Sequence, residues 1–319
     1  MTAQRVHCIV VNYRTPALAE ICLTSLADER RSSLPSLRVT IVDNASGDGS
    51  VEHLEAMIAR ENWGDWVTLR ASPRNGGFAA GNNIALRECL SAPSPAEYVY
   101  LLNPDARVLP GAIDALVQFL EAHPSAGIAG SRISDDSDRL QHSAFRFPNA
   151  WDEFARGFQL AAVDRLLSNR LTTFAPAQAP IRCDWASGAA LMIRHQVFER
   201  VGLMDEGYFL DYEETDFCHA ARARGFECWF VPQSQVIHLV AQAKRAATAS
   251  PRQPTYWFES RRRNFIKNHG RSYAMLADLA WLAGHLGLRA RRLLQGRPAA
   301  VPPRFLRDFV QHSAIHRSL

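Results

Sequence analysis

The stretch VHCIVVNYRTPALAEICLTSLADERRSSLPSLRVTIVDN, residues 6–44, decides the fold class. Val6 to Val11 and Leu37 to Val42 are short apolar runs rich in β-branched residues, as buried strands are. Between them, from about Pro16 to Ala27, the residues Leu18, Ile21, Cys22 and Leu26 recur at helical spacing. Strand, helix and strand in that order form a βαβ opening. The pattern continues with a helix around Val51 to Arg60, a strand near Val67 to Ala71, a helix from about Ala79 to Leu90 and a strand at Tyr98 to Leu102. Such alternation predicts an α/β fold with a mainly parallel sheet and helices on both faces. Ligands in such sheets bind beyond the carboxyl ends of the strands. Three polar clusters fall there: Asn12-Tyr13, Asp43-Asn44 and Asn103-Pro104-Asp105.

Residues 107–240 are less regular. Positions 134–182 carry charge, proline and few long apolar runs, which predicts a loop-rich region over the sheet. Trp185 to Ile193 reads as one buried strand after a turn, and Cys228 to Val231 as another that leads to Val236-Ile237-His238. Between them lies FLDYEETDFC, residues 209–218, with Asp211, Glu213, Glu214 and Asp216 crowded into six positions. Crowded carboxylates cost free energy unless a cation, a helix end or a reaction uses them. The following CHAARARG predicts a short helix ended by Gly225, with the acids in its first turn and Asp216 as a helix-start residue.

The 319 residues, 47% hydrophobic and 21% charged, describe an ordinary globular protein. Six scattered cysteines with no CxxC exclude a structural zinc site of the usual spacing and fit a reducing compartment. The first residues lack the pattern of a signal peptide and read as a strand. Charge is unevenly distributed. Residues 240–319 hold 15 Lys and Arg against 3 Asp and Glu, a balance of +12, which leaves −8 on residues 1–239. An acidic body suits metal ions, and a basic tail suits an anionic membrane surface. Nucleic acid is not expected, since the aromatics are not interleaved with the basic residues. Tyr273 to Leu294 is a mostly apolar helix, short for a membrane span, that would lie on the membrane or pack on the body.

In order along the chain stand VNY (11–13), VDNASGDGS (42–50), NGGFAAGNN (75–83), LLNPDA (101–106), WASGAALMIR (185–194), FLDYEETDFC (209–218) and VPQSQVIH (231–238). Together they resemble the inverting family 2 glycosyltransferases of the GT-A fold, and most closely the bacterial rhamnosyltransferase-like branch. The resemblance covers about residues 6–270. It implies a Rossmann-like GT-A catalytic domain over residues 1–240, with a nucleotide-binding half to about 106 and an acceptor-side half over 107–240. A basic helical C-terminal extension, 241–319, completes the chain.

The resemblance also implies roles. Asn12, Tyr13 and Asp43 would line the nucleotide pocket, and Asn75, Gly77 and Asn82 would contact the nucleotide sugar. Asn103 and Asp105 occupy the place of the metal motif, where Asp105 and His238 would hold Mg²⁺ or Mn²⁺. Leu239 departs from the family pattern at this point. In the acidic pair Glu214 takes the place of the general base, with Glu213 orienting the acceptor or sharing the role. Arg263, with Arg261, Arg262 and Lys267, would meet phosphate oxygens of the donor or of a lipid-linked acceptor. The expected activity transfers a sugar, dTDP-L-rhamnose first among donors, to a lipid-linked or other glycan acceptor for cell-surface polysaccharide. The expected place is cytoplasmic, peripheral at the inner face of the plasma membrane. The competing readings are a UDP- or GDP-hexose transferase for exopolysaccharide, or a non-catalytic sugar-nucleotide-binding subunit.

Overall fold

The computed structural model describes residues 6–174, 177–239, 252–297 and 302–316. Its first half follows the hydrophobic periodicity: β1 (Val6–Asn12), α1 (Pro16–Ser32), β2 (Arg38–Asp43), α2 (Ser50–Arg60), β3 (Val67–Ala71), α3 (Gly77–Leu90) and β4 (Tyr98–Leu102). All four strands pair in parallel, in the order β3-β2-β1-β4. Register sets Asn12 opposite Asp43 at the carboxyl edge, so two of the polar clusters meet there. α1 runs past Ala27 because its last turn buries Glu29, whose carboxylate accepts the amides of Gly111 and Ile113. No apolar periodicity marks that extension, since the buried residue is an acid.

The second half adds β5 (Ala106–Val108), α4 (Ala112–Ala122), β6 (Ala126–Ser134), β7 (Ala144–Phe145), α5 (Ala150–Phe158), α6 (Ala161–Leu166), β8 (Ile181–Cys183), β9 (Trp185–Ala186), β10 (Ala190–Arg194), α7 (His195–Val201), α8 (Glu213–Ala223) and β11 (Glu227–His238). The main sheet continues β4-β10-β6-β11-β5, with β8 also on β11, while β7 and β9 form a separate ribbon. β10 is antiparallel to both its neighbours, so the sheet is mixed but mostly parallel. One apolar core sets Cys8 and Val10 against Leu23, Leu54 and Leu116 of α1, α2 and α4. The other sets Ile9, Val99 and Leu101 against Leu86, Phe198 and Phe217 of α3, α7 and α8. Burial of each large side chain contributes about 1.5–3 kcal/mol, which makes these two layers the main stabilising term.

Two expectations change. Residues 134–182 contain α5 and α6, and Asn149 caps α5 by accepting the amides of Trp151 and Asp152. Trp185 to Ile193 is two strands in different sheets, divided at Ser187-Gly188-Ala189, where the chain crosses from the two-stranded ribbon to the main sheet.

After β11 come α9 (Thr255–His269), α10 (Arg271–Leu294) and α11 (Phe305–Gln311). α10 packs along α5. The crossing is close because glycines face each other: a Cβ on Gly157 would lie 2.4 Å from the Trp281 carbonyl, and one on Gly284 2.2 Å from that of Phe154. Arg261 of α9 is buried and clamps both helices, bonding Glu153 at 2.8 Å and Asp278 at 2.6 Å. The expected boundary at 240/241 lies in residues outside the described ones. Among the described residues no helix is long and apolar enough to cross a membrane.

Candidate active site

At the carboxyl edge of β1 and β2 the Asp43 carboxylate accepts the Asn12 amide at 2.8 Å and both the amide and hydroxyl of Ser46. Asn12 and Asp43 are fully enclosed, so in this structure they shape the loop from beneath. Tyr13 is the exposed member, at 41%, and Arg14 lies over its ring. The Asn75 side chain accepts from Asn44 at 3.0 Å and from the Gly77 amide. Asn82 is buried on the Phe78 carbonyl, with its own amide oxygen unpartnered among the described residues. Gly77 has a structural reason: at φ +85° its absent Cβ would meet the Phe209 carbonyl at 1.9 Å, and Phe78 donates to that same carbonyl. The glycine turn therefore seats the acidic turn directly.

Past β4 the chain folds back through β5, which pairs antiparallel with the end of β11 and sets His238 opposite Ala106. Asp105 and His238, 133 residues apart in sequence, thereby meet with Oδ1 and Nε2 3.0 Å apart, and Asn103 stands 3.3 Å from the same ring nitrogen. Two cis ligands about 2.1 Å from an octahedral ion are also about 3.0 Å apart, so this pair fits Mg²⁺ or Mn²⁺. No group of three or more His, Cys, Asp or Glu able to hold a metal occurs among the described residues. Donor oxygens and water would have to complete the coordination.

The acidic segment begins with two residues in the left-handed region, Asp211 at φ 69° and Tyr212 at φ 73°. Each costs on the order of 1 kcal/mol, and such strain persists where the surroundings fix it. Here Phe209 is held by α3, and the Leu210 carbonyl accepts the Ser260 hydroxyl of α9. The turn aims Asp211, Tyr212 and Glu214 into a cavity of about 710 Å³ that also has Arg156, Trp185 and Trp257 on its walls. One Glu214 oxygen lies 3.4 Å from the Gly188 amide at the break between β9 and β10; the other is buried without a partner among the described residues. Burial pushes the Glu214 carboxyl up to about 7. Glu213 is only 4% exposed and does not line the cavity; burial, then the charge of Glu214, raises it well above the usual carboxylate range. Desolvation at the cavity wall also raises Asp211, although the residue itself stays exposed to solvent.

The basic residues of α9 stand elsewhere than expected. Arg263 bonds Asp205 at 3.0 Å, Lys267 bridges Asp205 and Asp216 at 2.7 Å each, Arg261 is enclosed by carboxylates, and Arg262 reaches the His312 carbonyl. In this structure they tie α9 to the body, where the expectation was phosphate contact. Asp216 likewise serves as a tie, accepting from Lys267, Asn268 and Tyr208, and makes no cap on its own helix. The sequence reading missed Asp152, Arg156 and Trp257 on the cavity walls; the ordered W-D-E-F-A-R-G-F pattern after Asn149 was the available signal.

The arrangement, a nucleotide-side loop, an Asp-His pair and a carboxylate on an open cavity at one sheet edge, is that of a sugar-transferring enzyme, and residues 7–199 match the family model "Glycosyl transferase family 2". The chain belongs to that family and is a glycosyltransferase. The chain resembles several rhamnosyltransferases. It is 27% identical over 294 residues to an N-acetylglucosaminyl-diphospho-decaprenol L-rhamnosyltransferase of Mycobacterium tuberculosis, covering 85% of this chain and 86% of that protein. It is 25% identical over 173 residues to the rhamnosyltransferase WbbL of Escherichia coli, covering 53% and 63%. Among solved structures, a mannosyltransferase of Pyrobaculum calidifontis in complex with GDP-Man and Mn²⁺ shares the fold with a TM-score of 0.55 at 18% identity, over 95% of this chain and 78% of that one.

Proposed function

We propose that this glycosyltransferase is metal-dependent and inverting, and that it extends a lipid-linked glycan for cell-surface polysaccharide at the inner face of the plasma membrane. Its donor is a nucleoside-diphosphate sugar, with dTDP-L-rhamnose the first to test. The observation that carries the reading is Glu214 on the wall of the 710 Å³ cavity, with burial holding its carboxyl near neutrality. A base with such a value can take a proton at physiological pH and release it afterwards.

In the proposed reaction the acceptor sugar lies in the cavity between Trp185 and Trp257, whose rings suit the apolar faces of a pyranose. Glu214 takes the proton of the acceptor hydroxyl as its oxygen attacks the anomeric carbon. The bond from that carbon to the diphosphate breaks, and its electron pair leaves with the nucleoside diphosphate. Attack opposite the leaving group inverts the centre in one step. Glu213, enclosed behind its neighbour, has its own carboxyl raised by burial and by the charge of Glu214, so it holds its proton while Glu214 ionises. Tyr13 offers a ring to the nucleotide base above the Asn12–Asp43 floor, and Asn75 and Asn82 border the donor side. Asp105 and His238, with Asn103 beside them, would hold Mg²⁺ or Mn²⁺, which when bound neutralises charge on the departing diphosphate.

The mycobacterial relative's name specifies a diphospho-polyprenol acceptor, which supports testing this acceptor class here. A panel of dTDP-, UDP- and GDP-sugars, scored by nucleoside diphosphate release with a lipid-diphosphate GlcNAc acceptor and with Mn²⁺ or EDTA, tests the proposal. Release that requires dTDP-rhamnose, acceptor and metal together is expected; nucleotide binding without turnover on any donor would overturn it.

A further inference from the structure

α10 gives one face to α5 and turns the other to solvent. Along the outer face Met275, Leu276, Leu279, Leu286, Leu293 and Leu294 are exposed, Leu286 at 66% and Leu293 at 82%, with the exposed alanines 283 and 290 between them. At 1.5 Å per residue this stripe is about 28 Å long. An apolar stripe of that length on a water-soluble surface marks an interaction site.

The charges decide the partner. The single acid of α10, Asp278, is buried against Arg261, while Arg271 and Arg289 are exposed and enter no salt bridge among the described residues. Every exposed charge on the helix is therefore positive. Pressing this face against its own copy would set arginine near arginine with no exposed carboxylate on either helix to compensate. Anionic lipid headgroups are complementary to it, and an apolar face edged by arginines is the form of a helix that lies in a membrane interface.

We infer that the outer face of α10 docks this enzyme on an anionic lipid surface, with the leucines in the headgroup–acyl boundary and Arg271 and Arg289 among the phosphates. On the opposite side of α10, α5 contributes Asp152 and Arg156 to the wall of the Glu214 cavity. Packed helices have axes about 8–10 Å apart, so the docked enzyme carries that cavity about one helix away from the lipid. A hydroxyl on a short lipid-tethered glycan lies within that reach. The link to the acceptor rests on the function proposed above; the docking itself does not.

The test is flotation of the full chain with vesicles of phosphatidylglycerol and phosphatidylcholine, against phosphatidylcholine alone, in low and high salt. The wild type should float with the anionic vesicles and lose binding as salt rises. The Leu279→Glu/Leu286→Glu variant should lose at least about tenfold in bound fraction, and Leu276→Gln/Leu293→Gln serves the same purpose should the glutamates impair folding. Unfolding temperature and nucleoside diphosphate release with a water-soluble acceptor should stay at the wild-type level in both, which separates lost docking from a failed enzymatic reading. Variants that float like the wild type, or a wild type that ignores anionic vesicles, would overturn the inference. So would a wild-type dimer that these substitutions split, since the face would then belong to a second copy.

Discussion

Replacing Glu214 by glutamine keeps the side chain's shape and removes its charge, so it separates what the carboxylate does for catalysis from what it does to stability. Burial raises this carboxyl from an ordinary 4.5 to about 7. A folded-state value above the unfolded one means that the folded chain holds the proton more tightly. The group is therefore tolerated below about pH 4.5 and lowers stability progressively as pH rises to 7, with the full cost present above that. At pH 8 the cost is about 3 kcal/mol, and at pH 5 it has shrunk to under about 1 kcal/mol. Glu214→Gln should thus unfold several degrees higher than the wild type at pH 8, with most of the gain gone at pH 5. The same variant should lose about 10²–10⁴ in turnover, or about 3–5 kcal/mol of transition-state stabilisation, while nucleotide affinity hardly changes. Calorimetric unfolding at the two pH values, isothermal titration with the nucleoside diphosphate, and product release with a competent acceptor measure all three. Turnover within about tenfold of wild type, with no stability gain at pH 8, would refute the assignment; a loss confined to Glu213→Gln would transfer the role to that residue.

Asp105→Ala and His238→Ala should each weaken donor binding by about tenfold or more in Mn²⁺ and change it little in EDTA; equal losses in both conditions would remove the metal from these residues. Arg261→Ala should lower global stability by about 3–5 kcal/mol, since it leaves Asp278 buried without its cation and Glu153 with only Arg156 at 3.7 Å; a change under about 1 kcal/mol by denaturant titration would show that the clamp carries little. Gly77→Ala should cost more than about 2 kcal/mol and depress turnover together, because the new methyl group displaces the Phe209 carbonyl that seats the acidic turn. Wild-type turnover in that variant would disconnect the glycine turn from the acids.

The first half of the fold was legible because each element there buries an apolar stripe of its own: β1, α1 and β2 appear as the spacing of Val6 to Val42 predicts. The second half was less so, since its elements are defined by partners far away in sequence. α5 is held by an asparagine cap and by glycine contacts with a helix more than a hundred residues later, which local periodicity does not carry. The break in Trp185 to Ile193 has the same origin, because Gly188 leaves the strand to stand beside Glu214. Motif order singles out Asp105 and His238 at strand ends, and the antiparallel pairing of β5 with β11 brings them together. The basic residues of α9 misled for an electrostatic reason: a sequence shows Arg263 and Lys267 as free cations, whereas the fold supplies Asp205 and Asp216 to them.

The central claim is a direct displacement assisted by Glu214, and the anomeric configuration of the product tests it most directly. Wild-type enzyme, dTDP-rhamnose, Mn²⁺ and a lipid-diphosphate GlcNAc acceptor should give, by NMR of the released glycan, a single linkage inverted relative to the donor. A linkage that retains the donor's configuration would contradict the account.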